Sequence, residues 1–238
     1  MISSIDYHEQ HKYMFVSDTK TKTIFRVNYS SNSIIPIIDG VGQEPAVLAV
    51  DWLNDNLYWA DSGLNRISVS DFNGTARRTI HTQNINQIGA IAIDVLTAKI
   101  FWTNFGTRSV IEQSNSDGSN RNILVENTEK AVGLALDVIS KTIYWSDVRK
   151  GTIETVDYYG RNHRVVVRNV KYGASIRIFE DRIYWADILD KQVLSANRFH
   201  GGGVRKLKTL NGQLMANILI KHDVIQESDG IGWGVNSV

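Results

Sequence analysis

The side chains in this sequence whose types and spacing could carry chemistry are carboxylates and imidazoles. Asp18, Asp61, Asp147 and Asp187 close the short strings FVSD, YWAD, YWSD and YWAD, and Asn104 closes a fifth, FWTN. A second set, Asp51, Asp94 and Asp137, stands seven residues before the aromatic that heads its string. Paired carboxylates can do general acid–base work or hold a catalytic cation. A catalytic group has no reason to recur in nearly every unit of a chain. Recurrence points instead to acceptors that tie strands together, and Asn104 can still accept a hydrogen bond there without a charge. The six histidines (His8, His11, His81, His163, His200, His222) are scattered and show no HExxH or other ligand spacing. There is no GxSxG, no Gly-rich phosphate loop and no cysteine. The sequence therefore predicts no catalytic residue, no metal and no cofactor.

The elements that position these residues come from a repeat. The aromatics Phe15, Tyr58, Phe101, Tyr144 and Tyr184 are separated by 43, 43, 43 and 40 residues. A fixed period of this length marks a repeat architecture in which each unit is one supersecondary structure. The unit from Gly133 to Gly160, GLALDVISKTIYWSDVRKGTIETVDYYG, shows its content. LALD, TIYWS, TIETVD and the following HRVVV are short β-branched or aromatic runs between polar turns. They predict a four-stranded meander, one blade of a β-propeller. Side chains alternate along a strand, so Ile143 and Trp145 face one way while Tyr144 and Ser146 face the other. One buried aromatic per blade is expected to staple each sheet to the next.

Composition agrees. The 238 residues are 42% hydrophobic and 21% charged, enough for a large core. No apolar run is long enough for a membrane span, and MISSIDYHEQHKYMF does not read as a signal peptide. A net charge of +1 gives no reason to expect nucleic acid. Charge is uneven along the chain: from Arg161 to Lys208 eleven Lys or Arg face four acids. Such a basic sector can attract an acidic partner at long range.

The units run over about 2–42, 43–86, 87–129, 130–170 and 171–212, with one closing strand at 215–223. Together they make residues 1–226 the propeller, and the Gly-rich tail 227–238 is expected to be disordered. The first unit is the least regular. Its Asp6 precedes Phe15 by nine residues, which predicts two extra residues in the first hairpin. The fifth unit is shorter by three, placed in its own first hairpin.

These strings resemble the YWTD propeller of the LDL-receptor superfamily, its class B repeats. The resemblance covers residues 2 to 226. It rests on five tandem copies, on the Asp seven residues upstream of the aromatic, and on FED-R-IYWADI…SANR in the last full unit. Its structural motif is Asp18, Tyr58, Trp59, Asp61, Phe101, Trp102, Asn104, Tyr144, Trp145, Asp147, Tyr184, Trp185 and Asp187. A WD40 propeller of the same period would show Gly-His and Trp-Asp dipeptides, and neither occurs. The resemblance implies an all-β, six-bladed YWTD propeller with five full units and a sixth blade left incomplete in this chain. In that family the sixth blade takes one strand from the C-terminus and three from before the first unit, so a fragment lacking about 35 residues upstream is implied.

The resemblance also implies a function. It points to the extracellular part of a single-pass receptor of the endocytic lipoprotein or yolk-protein kind, or a secreted relative. The module would bind protein or lipoprotein ligands and release them in acid. Its neighbours would be EGF-like and acidic Cys-rich modules. Ligands of such propellers meet the loops entering each inner strand and those following each second strand. Here these supply Glu44, Ser62, Phe105, Arg108, Arg149, Lys150, Tyr172, Ile188 and Lys191 as the candidate ligand face. The competing class is a signalling or matrix propeller, similar to Wnt co-receptors or nidogen, which carries an Asn in an entering loop. Val132, Ala46, Gly89 and Ala174 occupy that place here. Asn28 in NYS and Asn73 in NGT are candidate N-glycosylation acceptors at an exposed rim.

Overall fold

The computed structural model describes residues 2–40, 43–209 and 217–220. They form five sheets of four antiparallel strands, each a meander in chain order. The first blade holds β1 (Ile2–His8), β2 (Tyr13–Asp18), β3 (Thr23–Asn28) and β4 (Ser33–Ile38). The second holds β5 (Pro45–Asp51), β6 (Asn56–Asp61), β7 (Arg66–Asp71) and β8 (Arg78–His81). The third holds β9 (Ile88–Asp94), β10 (Lys99–Asn104), β11 (Val110–Asn115) and β12 (Asn122–Val125). The fourth holds β13 (Ala131–Asp137), β14 (Thr142–Asp147), β15 (Thr152–Asp157) and β16 (Arg164–Arg168). The fifth holds β17 (Gly173–Phe179), β18 (Arg182–Asp187), β19 (Gln192–Asn197) and β20 (Arg205–Thr209).

The first strands β1, β5, β9, β13 and β17 stand side by side in that order around a narrow channel. Each carries an irregularity near its start, such as the one between Ala131 and Gly133, opposite the last residues of the motif strand. A bulge adds local twist, and its recurrence at this place bends every blade alike.

Each joint between blades is held by two aromatics, one from each side, so the middle three blades give two apiece. Phe15 packs with Trp59, Tyr58 with Trp102, Phe101 with Trp145, and Tyr144 with Trp185, in four separate core clusters. The first aromatic of the first four motifs therefore faces the next blade, and the Trp of the second to fifth faces the previous one. That is the strand alternation used on both faces. Trp59, Trp102 and Trp145 are at most 1% exposed. Burying a ring of about 150–250 Å² is worth about 4–6 kcal/mol. Glycine completes the packing at the outer turns. A Cβ on Gly74 would stand 1.9 Å from the Ile37 carbonyl oxygen of the preceding blade, and Gly201 repeats the contact at 1.8 Å from that of Val166. Both have positive φ, so the turn needs glycine on two counts.

Four expectations need correction. The described residues form five blades, and no sixth is among them. Most of the closing strand at 215–223 and all of the tail at 227–238 lie outside the described residues. Its described part, 217–220, is not a strand. The segment lies between β1 and β17: Asn217 accepts from Ser175 Oγ at 2.8 Å, and the Ile220 carbonyl accepts from Tyr7 Oη at 3.1 Å. Ladder partners come from strand edges, whereas the bonds anchoring this segment are made with side chains of the two flanking blades. The first hairpin has no insertion. His8 pairs with Tyr13 as Asp51 pairs with Asn56 and Asp137 with Thr142, whereas Asp6 lies opposite Phe15 within the strand. His8 is thus the true counterpart of the repeating Asp, hidden because the letter changed. In the fifth unit the hairpin is shorter by two residues, Glu180 and Asp181 standing where other blades have four. The third missing residue falls before β17.

Candidate functional site

At one end of the second to fifth blades, the loop entering the first strand meets the turn after the second strand. Their backbones are joined directly. The amides of Ser62, Phe105, Val148 and Ile188 donate to the carbonyls of Glu44, Gln87, Lys130 and Tyr172 at 2.9–3.0 Å. The motif carboxylates complete the joint. Asp147 accepts the amides of Glu129 (2.7 Å), Lys130 (3.0 Å), Arg149 and Lys150 (3.2 Å each), two from each loop. Asp187 takes those of Lys171, Tyr172 and Asp190 at 3.0–3.3 Å. Asp61 takes those of Glu44, Gly63 and Leu64 at 2.9–3.1 Å. Asp18 accepts the amides of its own turn, Lys20 at 2.8 Å and Thr21 at 3.4 Å. These acids build the candidate ligand face from behind.

The third blade departs from this plan. Asn104 Oδ1 accepts only the Gly106 amide at 3.4 Å, while its Nδ2 donates to the Asn84 carbonyl at 2.6 Å. An amide cannot draw in two loops of N–H groups as a carboxylate does. Beside it, between the third and fourth blades, opens a hollow of about 580 Å³. Phe105, Thr128, Glu129, Lys130 and Arg149 line it, with the Lys130 ammonium 5.5 Å from the centre of the Phe105 ring.

The face is mixed in charge. Lys22 pairs with Glu44 at 3.0 Å, Arg108 with Glu126 at 2.7 Å, and Lys171 with Asp190 at 2.7 Å. Lys150 reaches Glu154 at 3.6 Å. Exposed Arg149 and Lys191 have no carboxylate within 4.0 Å among the described residues. Ser62 is exposed, and Phe105, Tyr172 and Ile188 are half-buried. The basic stretch of the sequence does not form one patch. Arg161 pairs with Asp157 and Arg198 with Asp137 at the opposite rim, and Arg177 is enclosed beside the channel, where burial lowers its pKa against the pull of Asp6.

The opposite rim carries the first hairpins and the outer turns. Here Asp51, Asp94 and Asp137 accept amides of their own hairpins, Asn54 at 3.1 Å, Thr97 at 3.2 Å and Ser140 at 3.2 Å. Asp94 also receives Lys141 of the next blade at 2.9 Å, and Asp137 receives Arg198. Burial would raise the Asp94 carboxyl, but bonds from Lys141 and Thr97 outweigh it and hold it below the ordinary carboxylate range. The sequon residue Asn73 is exposed on this rim, with its Oδ1 bound to Arg26 at 2.6 Å. Asn28 ends β3, half-buried, and its Oδ1 caps Ser30 and Ser31 at 3.0 Å.

The fold also gathers a group that sequence reasoning missed. The ligand atoms of His8, His11 and Asp55 lie within 4.8 Å of one another. Asp55 comes from the second blade, so no local spacing announces the trio. It does not fit a metal. His8 Nδ1 accepts the His11 amide at 3.2 Å, and its Nε2 lies 2.9 Å from the Trp52 carbonyl. A neutral ring that accepts at Nδ1 carries its proton on Nε2 and has no lone pair there for a cation.

A five-blade repeat with a loop face built by recurring carboxylates defines a binding propeller of the YWTD kind. Comparison with known proteins agrees. The Low-density lipoprotein receptor repeat class B pattern matches residues 55–95. Human low-density lipoprotein receptor-related protein 8 is 44% identical over 169 residues, 69% of this chain and 18% of that protein. The chain thus spans under a fifth of that relative. Among solved structures, a chain from the crystal structure of a nidogen/laminin complex superposes with a TM-score of 0.81 at 23% identity, covering 88% of this chain and 79% of that one. A gluconolactonase from Xanthomonas campestris reaches a TM-score of 0.75 at 14% identity, covering 91% and 78%. Both structural likenesses concern the fold alone. This chain is an LDL-receptor-family YWTD propeller, a ligand-binding module.

Proposed function

We propose that this propeller serves an endocytic receptor of the LDL-receptor kind, outside the cell, as a non-enzymatic module that docks protein ligands or the receptor's own acidic Cys-rich modules and releases cargo in acid. The supporting observation is the loop face itself. Its backbone is fixed from behind by Asp61, Asp147 and Asp187, while Arg149 and Lys191 point no charge into any pair. A rigid frame with unpaired cations suits an acidic partner, because little ordering is needed on binding. The hollow at Phe105, Lys130 and Arg149 adds an apolar contact next to positive charge. A binding role also accounts for the repeating acids, all of them committed to backbone donors.

We further infer that the ring closes as six blades around residues 217–220. Supporting this, β1 and β17 do not touch as other neighbouring first strands do, and Tyr184 is only half-buried although Tyr144 is 2% exposed. Asn73, exposed in its turn, is the better placed of the two glycosylation acceptors.

The test is affinity for an isolated acidic Cys-rich module pair at pH 5.5. Replacing Arg149, Lys150 and Lys191 together by Ala should weaken binding at least tenfold. Unchanged affinity would remove this face from consideration.

A further inference from the structure

The blades are copies, so a position that breaks the pattern can be read against its counterparts. At the rim opposite the ligand face, the last residue of the first strand caps its hairpin in the first four blades, and Asp94 and Asp137 also take a cation from the next blade. Asp94 does both: one oxygen accepts the Thr97 amide and the other takes the Lys141 ammonium at 2.9 Å. Lys141 is the last residue of its hairpin, with φ +52°. Its counterpart in the second blade is Asp55, φ +55°, and the residue facing it is His8. The polarity is reversed, with the acid on the later blade and the nitrogen base on the earlier one.

His8 imitates the Asp it replaces. Its Nδ1 accepts the amide three residues on, His11, as Asp51 accepts that of Asn54. Its Nε2 lies 2.9 Å from the Trp52 carbonyl oxygen and 3.3 Å from Asp55 Oδ1. The ring is 2% exposed, packed against Phe72 edge-on and against the His11 ring at 4.4 Å. The charged groups around it are His11 and Asp55. Glu9 on the same hairpin is engaged by Lys12 and Tyr29.

We propose that the His8–Asp55 contact is an acid-sensitive latch between the first and second blades. A proton from solvent adds to Nδ1, the one lone pair on the ring. That turns an acceptor into a donor facing the His11 N–H, so the hairpin loses its cap. The new cation gains Asp55, but that carboxylate is 56% exposed and such a pair contributes little. Burial lowers the His8 pKa from the ordinary imidazole value; the Trp52 carbonyl and Asp55 oppose this, and His11 adds to it. With the folded value depressed, the ring's stabilising role is complete above the ordinary imidazole pKa of about 6.5 and is lost as pH falls below it. The Asp94 carboxyl, held below the ordinary carboxylate range, stays charged through the same range. The proposal concerns the rim away from the ligand face and does not depend on the reading of that face.

The experiment compares the wild-type chain with two variants by hydrogen exchange between pH 7.5 and 5.0, corrected for intrinsic rates. His8→Asn keeps an acceptor for the His11 amide and a donor for Trp52 but does not titrate. The double change His8→Asp with Asp55→Lys restores the polarity of the Asp94–Lys141 pair at positions where both residues already occur in other blades. Protection of residues 9–12 should fall at least tenfold in the wild type and stay flat in both variants. Equal pH dependence in all three, or none in the wild type, overturns the proposal. If a variant does not fold, titrating the wild type by NMR decides. The His8 ring and the His11 amide should shift in one step below pH 6.5, and independent shifts would contradict the latch.

Discussion

Asp147 shows how one residue type carries the design. Four amides from two loops converge on a fully buried carboxylate. Removing an acceptor that serves several buried donors leaves each of them unsatisfied, and bonds to charged groups are the costlier ones to lose. Asp147→Ala should therefore lower unfolding stability by about 3 kcal/mol in urea, with Asp147→Asn about half as damaging. A loss under about 0.5 kcal/mol for the alanine variant would mean the loops hold themselves. The recurrence of this Asp was plain in the sequence, and so was its acceptor chemistry. What it accepts was not, because the donors are backbone groups and every residue has those. His8 was invisible for the opposite reason. Alignment by letter found Asp6, whereas strand register puts a histidine in the acid's place.

At the scale of the element, the motif strands β6, β10 and β14 each bury one aromatic on each face. Trp145 is fully buried against Phe101 and the rest of the third-to-fourth blade cluster. Trp145→Ala should cost about 3–5 kcal/mol by chemical denaturation. Tyr144 and Tyr184 hold the same strand position, but the second is half-buried. Tyr184→Ala should cost clearly less than Tyr144→Ala in this chain. Equal losses would mean that the fifth blade's outer face is covered as well as the others. The strands were legible because alternation and period together leave one arrangement. Hairpin lengths were not, since a two-residue shift in a polar loop changes no apolar spacing. Asn104 accepts one loop amide where the motif acids accept two to four, and the letter change alone gave no sign of the hollow beside it.

The whole molecule divides its labour between two rims. One gathers the loops fixed by motif acids and bears Arg149 and Lys191, while the other carries hairpin caps, inter-blade clamps and both sequons. The period fixed which loops share a rim, since every unit runs the same way. It could not say which charges are free there, because pairing depends on contacts between blades: of the basic stretch from Arg161 to Lys208, several members serve the opposite rim or the channel. The central claim is that binding belongs to the first rim. The most direct measurement is hydroxyl-radical footprinting of the chain with and without a bound acidic Cys-rich module pair. The account predicts protection at residues 43–44, 62–65, 105–109, 148–151 and 188–191, with the hairpins at 52–55, 95–98 and 138–141 unchanged. Protection confined to those hairpins would contradict it.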